Sequence, residues 1–489
     1  MGFLNTIGRY QLSALIKLSS SLSQRLWNGN ESVATLFRMD SSRFIRGAFK
    51  KVGSTYLTPW FLVDIIYHGI VNSSDFAIAL PSENDLLSLY NEFLKYDEEL
   101  SSKVYEGFSP EDKFFYILFG LSQKTFWFQE RHRLLAMNSR FYQMLYGLPR
   151  RYSDLPKYFL HIEHKYGCSF PTYNIASMAL VWVVTRNTVI NFPYQIASSP
   201  KMKGVDNKLV NELLQDYVSE YETVRRSTLK ARQLYLTPVL RSTQNELLIT
   251  SAFLIARKAF TNLYWETRRL CLSAGATELN LALGEAFERY VDELLEHYLP
   301  NEEYHRLRPS AKRKRADLIV MTKEYQLLIE QKFAMLNISQ QDIQFDLERV
   351  DSWLLAYVQA ARQLEQTENE LAQDGRPVVK LILFFDNLYI ADGLVKERVA
   401  GILKRKGEVP LSLKNVFMIS IDEFERLIQV ISKNVDVADR VMGEKIIRQY
   451  QKNYSKGVEF NQVMDEMSAD RNEYIVKMNP FEGEQSDTN

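Results

Sequence analysis

Cysteine is almost missing from this 489-residue chain; there are two, Cys168 and Cys271. A disulfide scaffold is therefore excluded, and so sparse a usage fits a reducing compartment such as the cytoplasm. Net charge is missing too, because 60 basic residues balance 60 acidic ones. The protein is not a polycation, so any contact with nucleic acid has to use a local basic patch. No apolar run is long enough for a bilayer. The longest, Ile175 to Val184, closes at Arg186 after about half a crossing, and no membrane association is expected. Arg9 and Lys17 interrupt any secretory h-region near the start. There is no Gly-rich phosphate loop, dinucleotide fingerprint, nucleophile elbow or fixed-period repeat. His161, His164 and Cys168 lack the paired, short-spaced partners of a structural zinc site.

Aromatic residues are plentiful, with 28 Phe, 27 Tyr and 6 Trp, which excludes a disordered chain and supplies a core. The length suggests about two to four domains. Residues 1–275 read as a mostly helical region. Ser82 to Asp85 has the form of a capping box, and Ser109-Pro110-Glu111-Asp112 sets a cap, then proline, then two carboxylates at a helix start. The stripe Val210, Leu213, Leu214, Tyr217, Tyr221, Val224 predicts one helix from Asn207 to about Arg232. Another is predicted from about Glu246 to Leu272, stopping before Gly275. The aromatic stretch Phe114 to Phe128 reads as a buried helix.

The grammar changes after residue 275. A helix over 278–298 precedes two β-like runs, Ala316 to Met321 and Gln326 to Phe333, with a turn at Lys323-Glu324. A helix over 346–372 follows, then the apolar run Val378 to Phe385 of a buried strand, a strand over Asn415 to Ser420 and a helix over Asp422 to Val430. That order predicts an α/β domain over 276–435. Residues 436–478 form a helical extension, and the polar, acidic 479–489 a disordered tail.

One constellation in this half carries chemistry. Glu330 and Lys332 are two apart on a predicted strand, so they share a face. A regular hairpin brings Asp317 beside them. Two carboxylates suit Mg²⁺, with Mn²⁺ as a substitute, and a lysine beside the ion orients water or stabilises charge on a phosphate. On the preceding helix Glu288 lies at the edge of the apolar stripe Leu283, Phe287, Val291, Leu294, Tyr298, while Glu285 lies nearly opposite. Glu288 is the better fourth member and Glu285 the runner-up.

The arrangement resembles the PD-(D/E)XK, restriction-endonuclease-like nuclease superfamily. Gly284-Glu-Ala-Phe-Glu288 resembles its first motif, Asp317 its second and Glu330-Gln331-Lys332 its third. Ala316 stands where the family often has proline. Gln359 and Gln363, on the next helix, match the polar residue that this family often carries near the site. The resemblance covers residues 278–435 and says nothing of 1–275. It implies an α/β restriction-endonuclease-like core and a metal-dependent nuclease in which Asp317, Glu330 and Glu288 hold metal and Lys332 assists. Restriction or anti-phage defence, and self-association to cut two strands, follow by analogy.

The run His305 to Arg315 holds six Lys or Arg and no acid, and Lys312, Arg313, Lys314 and Arg315 lead straight into Asp317. Phosphate contact and a solvated charge run are both open readings. Arg225, Arg226, Lys230 and Arg232 read first as a solvated face. Two other functions stay open: a catalytically silent nucleic-acid-binding or assembly scaffold of the same fold, and an RNA-directed nuclease. A regulatory partner protein is a further expectation, since a nuclease endangers its host.

Overall fold

A computed structural model describes residues 2–28, 59–104, 106, 108–110, 112–116, 119, 131–184, 186–195, 205–307, 315–333, 347–371, 375–386, 392–409, 411–449 and 459–477. Helices dominate, and two small mixed sheets lie among them. The first sheet has strands β1 (Val189–Ile190), β2 (Val218–Glu220), β3 (Val239–Arg241) and β4 (Leu247–Ile249), ordered β1-β4-β3-β2. Only β2 and β3 pair in parallel. The second sheet follows chain order: β5 (Tyr304–Arg306), β6 (Leu318–Met321), β7 (Gln326–Lys332), β8 (Val378–Phe384) and β9 (Val416–Ser420). β5, β6 and β7 are antiparallel neighbours; β7, β8 and β9 run parallel.

Parallel strands need long crossovers, and helices Leu347–Glu370 and Asp392–Arg405 supply them. Both cover one face of the second sheet. Val350, Trp353, Leu354, Tyr357, Val358, Ala361 and Leu364 form a stripe at steps of three and four, packed with Ile319, Leu328, Ile382 and Phe384. The opposite face carries Leu318, Val320, Leu327, Ile329, Leu381 and Leu383, which pack with helices Leu279–Tyr298 and Ile421–Lys433. This second cluster also takes in Phe141, Tyr173, Leu213, Ile255 and Tyr264, so its packing crosses residue 275 without a gap.

Several predicted elements appear as expected. Asp85 accepts from the Ser82 N–H at 2.8 Å ahead of helix Glu83–Val104, and the Asp112 N–H donates to Ser109 Oγ at 3.1 Å. In the aromatic stretch, Phe115, Tyr116 and Phe119 are buried and Phe114 is exposed; positions 117, 118 and 120–128 lie outside the described residues. The tail at 479–489 also lies outside them.

Four expectations need correction. The helix over 207–232 is broken: Asn207–Gln215 is helical, β2 follows, and helix Tyr221–Arg226 and a 3-10 turn at Lys230–Arg232 complete the stretch. Its stripe is buried throughout, but Val218 to Glu220 pairs along Val239 to Arg241, and sheet hydrogen bonds replace helical ones there. The helix expected from Glu246 starts at Ala252, because Leu247–Ile249 are taken by β4. Its end is as predicted: Gly275, at φ +75°, lets the Ala276 N–H return to the Cys271 carbonyl at 2.9 Å. β5 and helix Asp392–Arg405 are additions to the expected order. The run at Val378 is also not wholly apolar. Lys380 is buried within β8, and its ammonium pairs with Glu368 at 2.7 Å.

Candidate active site

β6 and β7 place the predicted residues. Leu318 pairs with Ile329 and Met321 with Gln326, around a turn at Thr322 to Tyr325. The ladder begins at Leu318, and Asp317 lies in the bend just before it, beside residues 329–331 of β7. The Asp317 N–H donates to the Ile329 carbonyl at 3.0 Å, and Asp317 Oδ2 accepts from the Gln331 N–H at 2.6 Å. The carboxylate of Asp317 is thus fixed against the backbone of the Glu330–Lys332 strand. Helix Leu347–Glu370 braces the entry: the Ala316 N–H donates to Thr367 Oγ1 at 2.8 Å.

Alternation along β7 turns Leu328, Glu330 and Lys332 to the face of helix Leu347–Glu370. Lys332 Nζ donates to Glu330 Oε1 at 2.5 Å and to Gln363 Oε1 at 3.4 Å. Gln363 Nε2 in turn donates to the Arg315 carbonyl at 3.4 Å. Of the two candidate glutamines, Gln363 reaches the lysine and Gln359 is exposed. Arg315 pairs with Glu370 at 2.7 Å. Lys312, Arg313 and Lys314 lie outside the described residues.

Glu330 is 2% exposed, and its Oε2 has no hydrogen-bond partner among the described residues. Burial first, and then the charge of Asp317, push its carboxyl up to about 7, against the pull of Lys332. Burial also raises Asp317, opposed by the Gln331 N–H, Lys332 and Arg306. Glu288 is raised by burial and by Asp317, with Arg306 opposing. The carboxyl groups therefore sense one another's charge.

Glu288 stands apart in geometry. It comes from helix Leu279–Tyr298, on the other face of the sheet, and its side chain is 49% exposed. Arg306 of β5 lies 3.4 Å from it and 2.6 Å from Asp292. Among the described residues no three His, Cys, Asp or Glu side chains gather as a ready metal cage. Asp317, Glu330 and Lys332 are brought together, and Glu288 is held within electrostatic reach. Glu285 is exposed and its charge bears on Tyr158 and Glu288.

The donor set fits a hard divalent cation. Mg²⁺ binds through one or two carboxylates and keeps much of its remaining shell for water and phosphate oxygens. A buried oxygen without a partner among the described residues, beside a second carboxylate that raises its pKa, is a place where a cation lowers the energy.

Sequence reasoning did not single out Thr367, Arg306 or Asp292. Thr367 follows Gln363 by four, the spacing of one helix face, and that was the available signal. Arg306 stood inside the basic run at 305–315, where nothing marked it as a strand residue. The other basic cluster is structural in part: Arg225 Nε donates to the Ile70 carbonyl at 2.7 Å, and Arg226 pairs with Glu222 at 2.7 Å.

Comparison of the chain with protein-family models, with curated proteins and with solved structures gives no match.

Proposed function

We propose that this protein is a metal-dependent nuclease of the PD-(D/E)XK, restriction-endonuclease-like type, hydrolysing phosphodiester bonds of DNA. One observation carries the reading. Asp317 is bonded to the strand that carries Glu330, through the Ile329 carbonyl and the Gln331 N–H, and the Lys332 ammonium is 2.5 Å from a buried Glu330 carboxylate whose second oxygen has no partner among the described residues. A structural surface pair does not require a buried carboxylate with such an oxygen, because desolvating it is costly.

In this reading Asp317 and Glu330 would hold Mg²⁺ or Mn²⁺, with Glu288 joining from the neighbouring helix. The cation, when bound, lowers the pKa of water and draws charge from the scissile phosphate. The Gln331 N–H keeps the Asp317 carboxylate oriented through its 2.6 Å bond. Lys332, 27% exposed, is open to substrate on one side and held by Glu330 and Gln363 on the other. It donates to charge that develops on the phosphate oxygens, and the buried setting strengthens that interaction. The basic residues Lys312 to Arg315 would contact the phosphate backbone, with Arg315 first leaving Glu370. The helical N-terminal half would recognise substrate, partner or trigger, in restriction or anti-phage defence, and the cysteine usage fits work in the cytoplasm. No helix among the described residues is long and apolar enough to cross a membrane.

The test is incubation of the whole protein with supercoiled plasmid, linear duplex, single-stranded DNA and RNA, each with Mg²⁺, Mn²⁺ or EDTA. Cutting of DNA that EDTA abolishes is expected. Cutting of RNA alone would reassign the substrate, and binding without cutting under any metal would favour the scaffold.

A further inference from the structure

The side chain of Gln331, between the two motif residues, has no role assigned so far. It is 8% exposed, yet neither Oε1 nor Nε2 has a hydrogen-bond partner among the described residues. A carboxamide left in this state carries a desolvation penalty that no hydrogen bond offsets. Such a residue is not there for core packing, since a Leu or Met fills similar space without the penalty.

Its direction is set by the pleat. Glu330 and Lys332 face helix Leu347–Glu370, so Gln331 faces the other side with Ile329 and Phe333. Phe333 packs on Phe287 with ring centroids 6.2 Å apart, which puts helix Leu279–Tyr298 over this part of β7. Glu288 follows Phe287 on that helix. Its tie to Arg306 is 3.4 Å, whereas Arg306 has a closer partner in Asp292 at 2.6 Å, so Glu288 can leave without stranding the arginine. Apart from its chain neighbours and its own helix backbone, Gly284, one turn before Glu288, has no atom within 4 Å of where a Cβ would stand, so that turn leaves room beside the carboxylate.

We infer that Gln331 is a positioning residue for the cation site, whose carboxamide donates to the Glu288 carboxylate when Glu288 turns in toward Asp317. This rests on the nuclease reading of the same site. The backbone N–H of Gln331 holds Asp317, and in this inference its side chain holds Glu288, so one residue sets two acidic groups. A partner of this kind, one step removed from the ion, typically changes metal affinity or activity about 10–100-fold.

The experiment uses the full chain as wild type, Gln331→Met, Gln331→Leu, Glu288→Ala and the Gln331→Met/Glu288→Ala double variant. Three quantities are read: the melting temperature in EDTA, the Mn²⁺ dissociation constant by calorimetry, and cleavage. Gln331→Met is expected to melt about 2–4 °C above wild type in EDTA, because an unsatisfied amide is gone. It is also expected to bind Mn²⁺ about 10–100-fold more weakly. Adding Gln331→Met to Glu288→Ala should weaken binding no further, since Gln331 acts on the ion through Glu288. A lower melting temperature in both Gln331 variants, or failure of both to fold, would make Gln331 a structural residue and overturn the inference. So would unchanged Mn²⁺ affinity or strictly additive losses. Wild type that binds and cuts beside an unaffected Gln331→Met sinks this inference alone; wild type that neither binds Mn²⁺ nor cuts sinks the nuclease reading with it.

Discussion

Glu330 sits where an ionised carboxylate is unfavourable, and that marks the site. Burial and the neighbouring charge of Asp317 raise its carboxyl to about 7, so in the absence of a cation its ionisation opposes folding. Glu330→Gln should therefore melt higher than wild type at neutral pH in EDTA, while losing cleavage by about 100-fold or more. A lower melting temperature would mean that the Lys332 contact stabilises the fold more than burial penalises it. The shared face of Glu330 and Lys332 was legible in the sequence, because strand alternation fixes it; the hairpin brought Asp317 near them, but its place in a bend before β6, bonded to the Ile329 carbonyl and the Gln331 N–H, was not. Choosing between Gln359 and Gln363 was not possible there. Four helical residues turn about 400°, so the two differ by about 40°, and only the packing of the helix on the sheet says which one meets Lys332. The hold of Arg306 on Asp292 and Glu288 was equally out of reach, since it depends on β5, a strand of three residues inside a charged run.

Among the elements, helix Ile421–Lys433 is well specified locally and deeply tied. Ser420 and Glu423 make a full capping box. Glu425, on its buried side, accepts from Arg140 Nε at 2.7 Å and Nη2 at 2.6 Å, from Tyr290 at 2.7 Å and from Asn472 at 2.6 Å. Arg140→Met leaves that carboxylate buried without its charge partner and is expected to cost about 3–5 kcal/mol, read by chemical denaturation. A cost below about 1 kcal/mol would contradict the assignment. Helix Ala252–Ser273 gives a pH-dependent counterpart. Burial acts to raise the Glu266 carboxyl, but hydrogen bonds from Arg269, Lys165 and Tyr166 outweigh it and hold the group down at about 2. Its contribution is complete above the ordinary value of 4.5 and is lost as pH falls toward about 2. Glu266→Gln should melt lower than wild type at neutral pH, with the gap closing in acid; a constant gap would contradict this. Long helices were read well where one apolar stripe served one element. The stripe from Val210 to Val224 failed as evidence of a single helix because burial alone does not say whether backbone groups bond along the chain or to β3.

At the scale of the molecule, the two compositions on either side of residue 275 share one core. Phe141 and Tyr264 stack at 5.1 Å, Phe141 meets Phe385 at 5.0 Å, and Phe385 meets Phe333 at 5.0 Å at the end of β7. Helices from the first half thus form the floor behind the candidate site. A fragment of residues 276–489 is expected to lack a cooperative melt on its own, since Phe287, Leu383 and Phe385 lose their cover; a sharp two-state transition would show a self-sufficient half. The sequence pattern marks the change from helix-rich to mixed structure, but shared burial between distant segments leaves no periodic trace in either. The measurement that bears most directly on the nuclease assignment is single-turnover DNA cleavage by wild type and Lys332→Ala in Mg²⁺, with circular dichroism confirming an unchanged fold. Cutting by wild type that falls by about 100-fold or more in the variant is the predicted result; equal rates from the two proteins would contradict it.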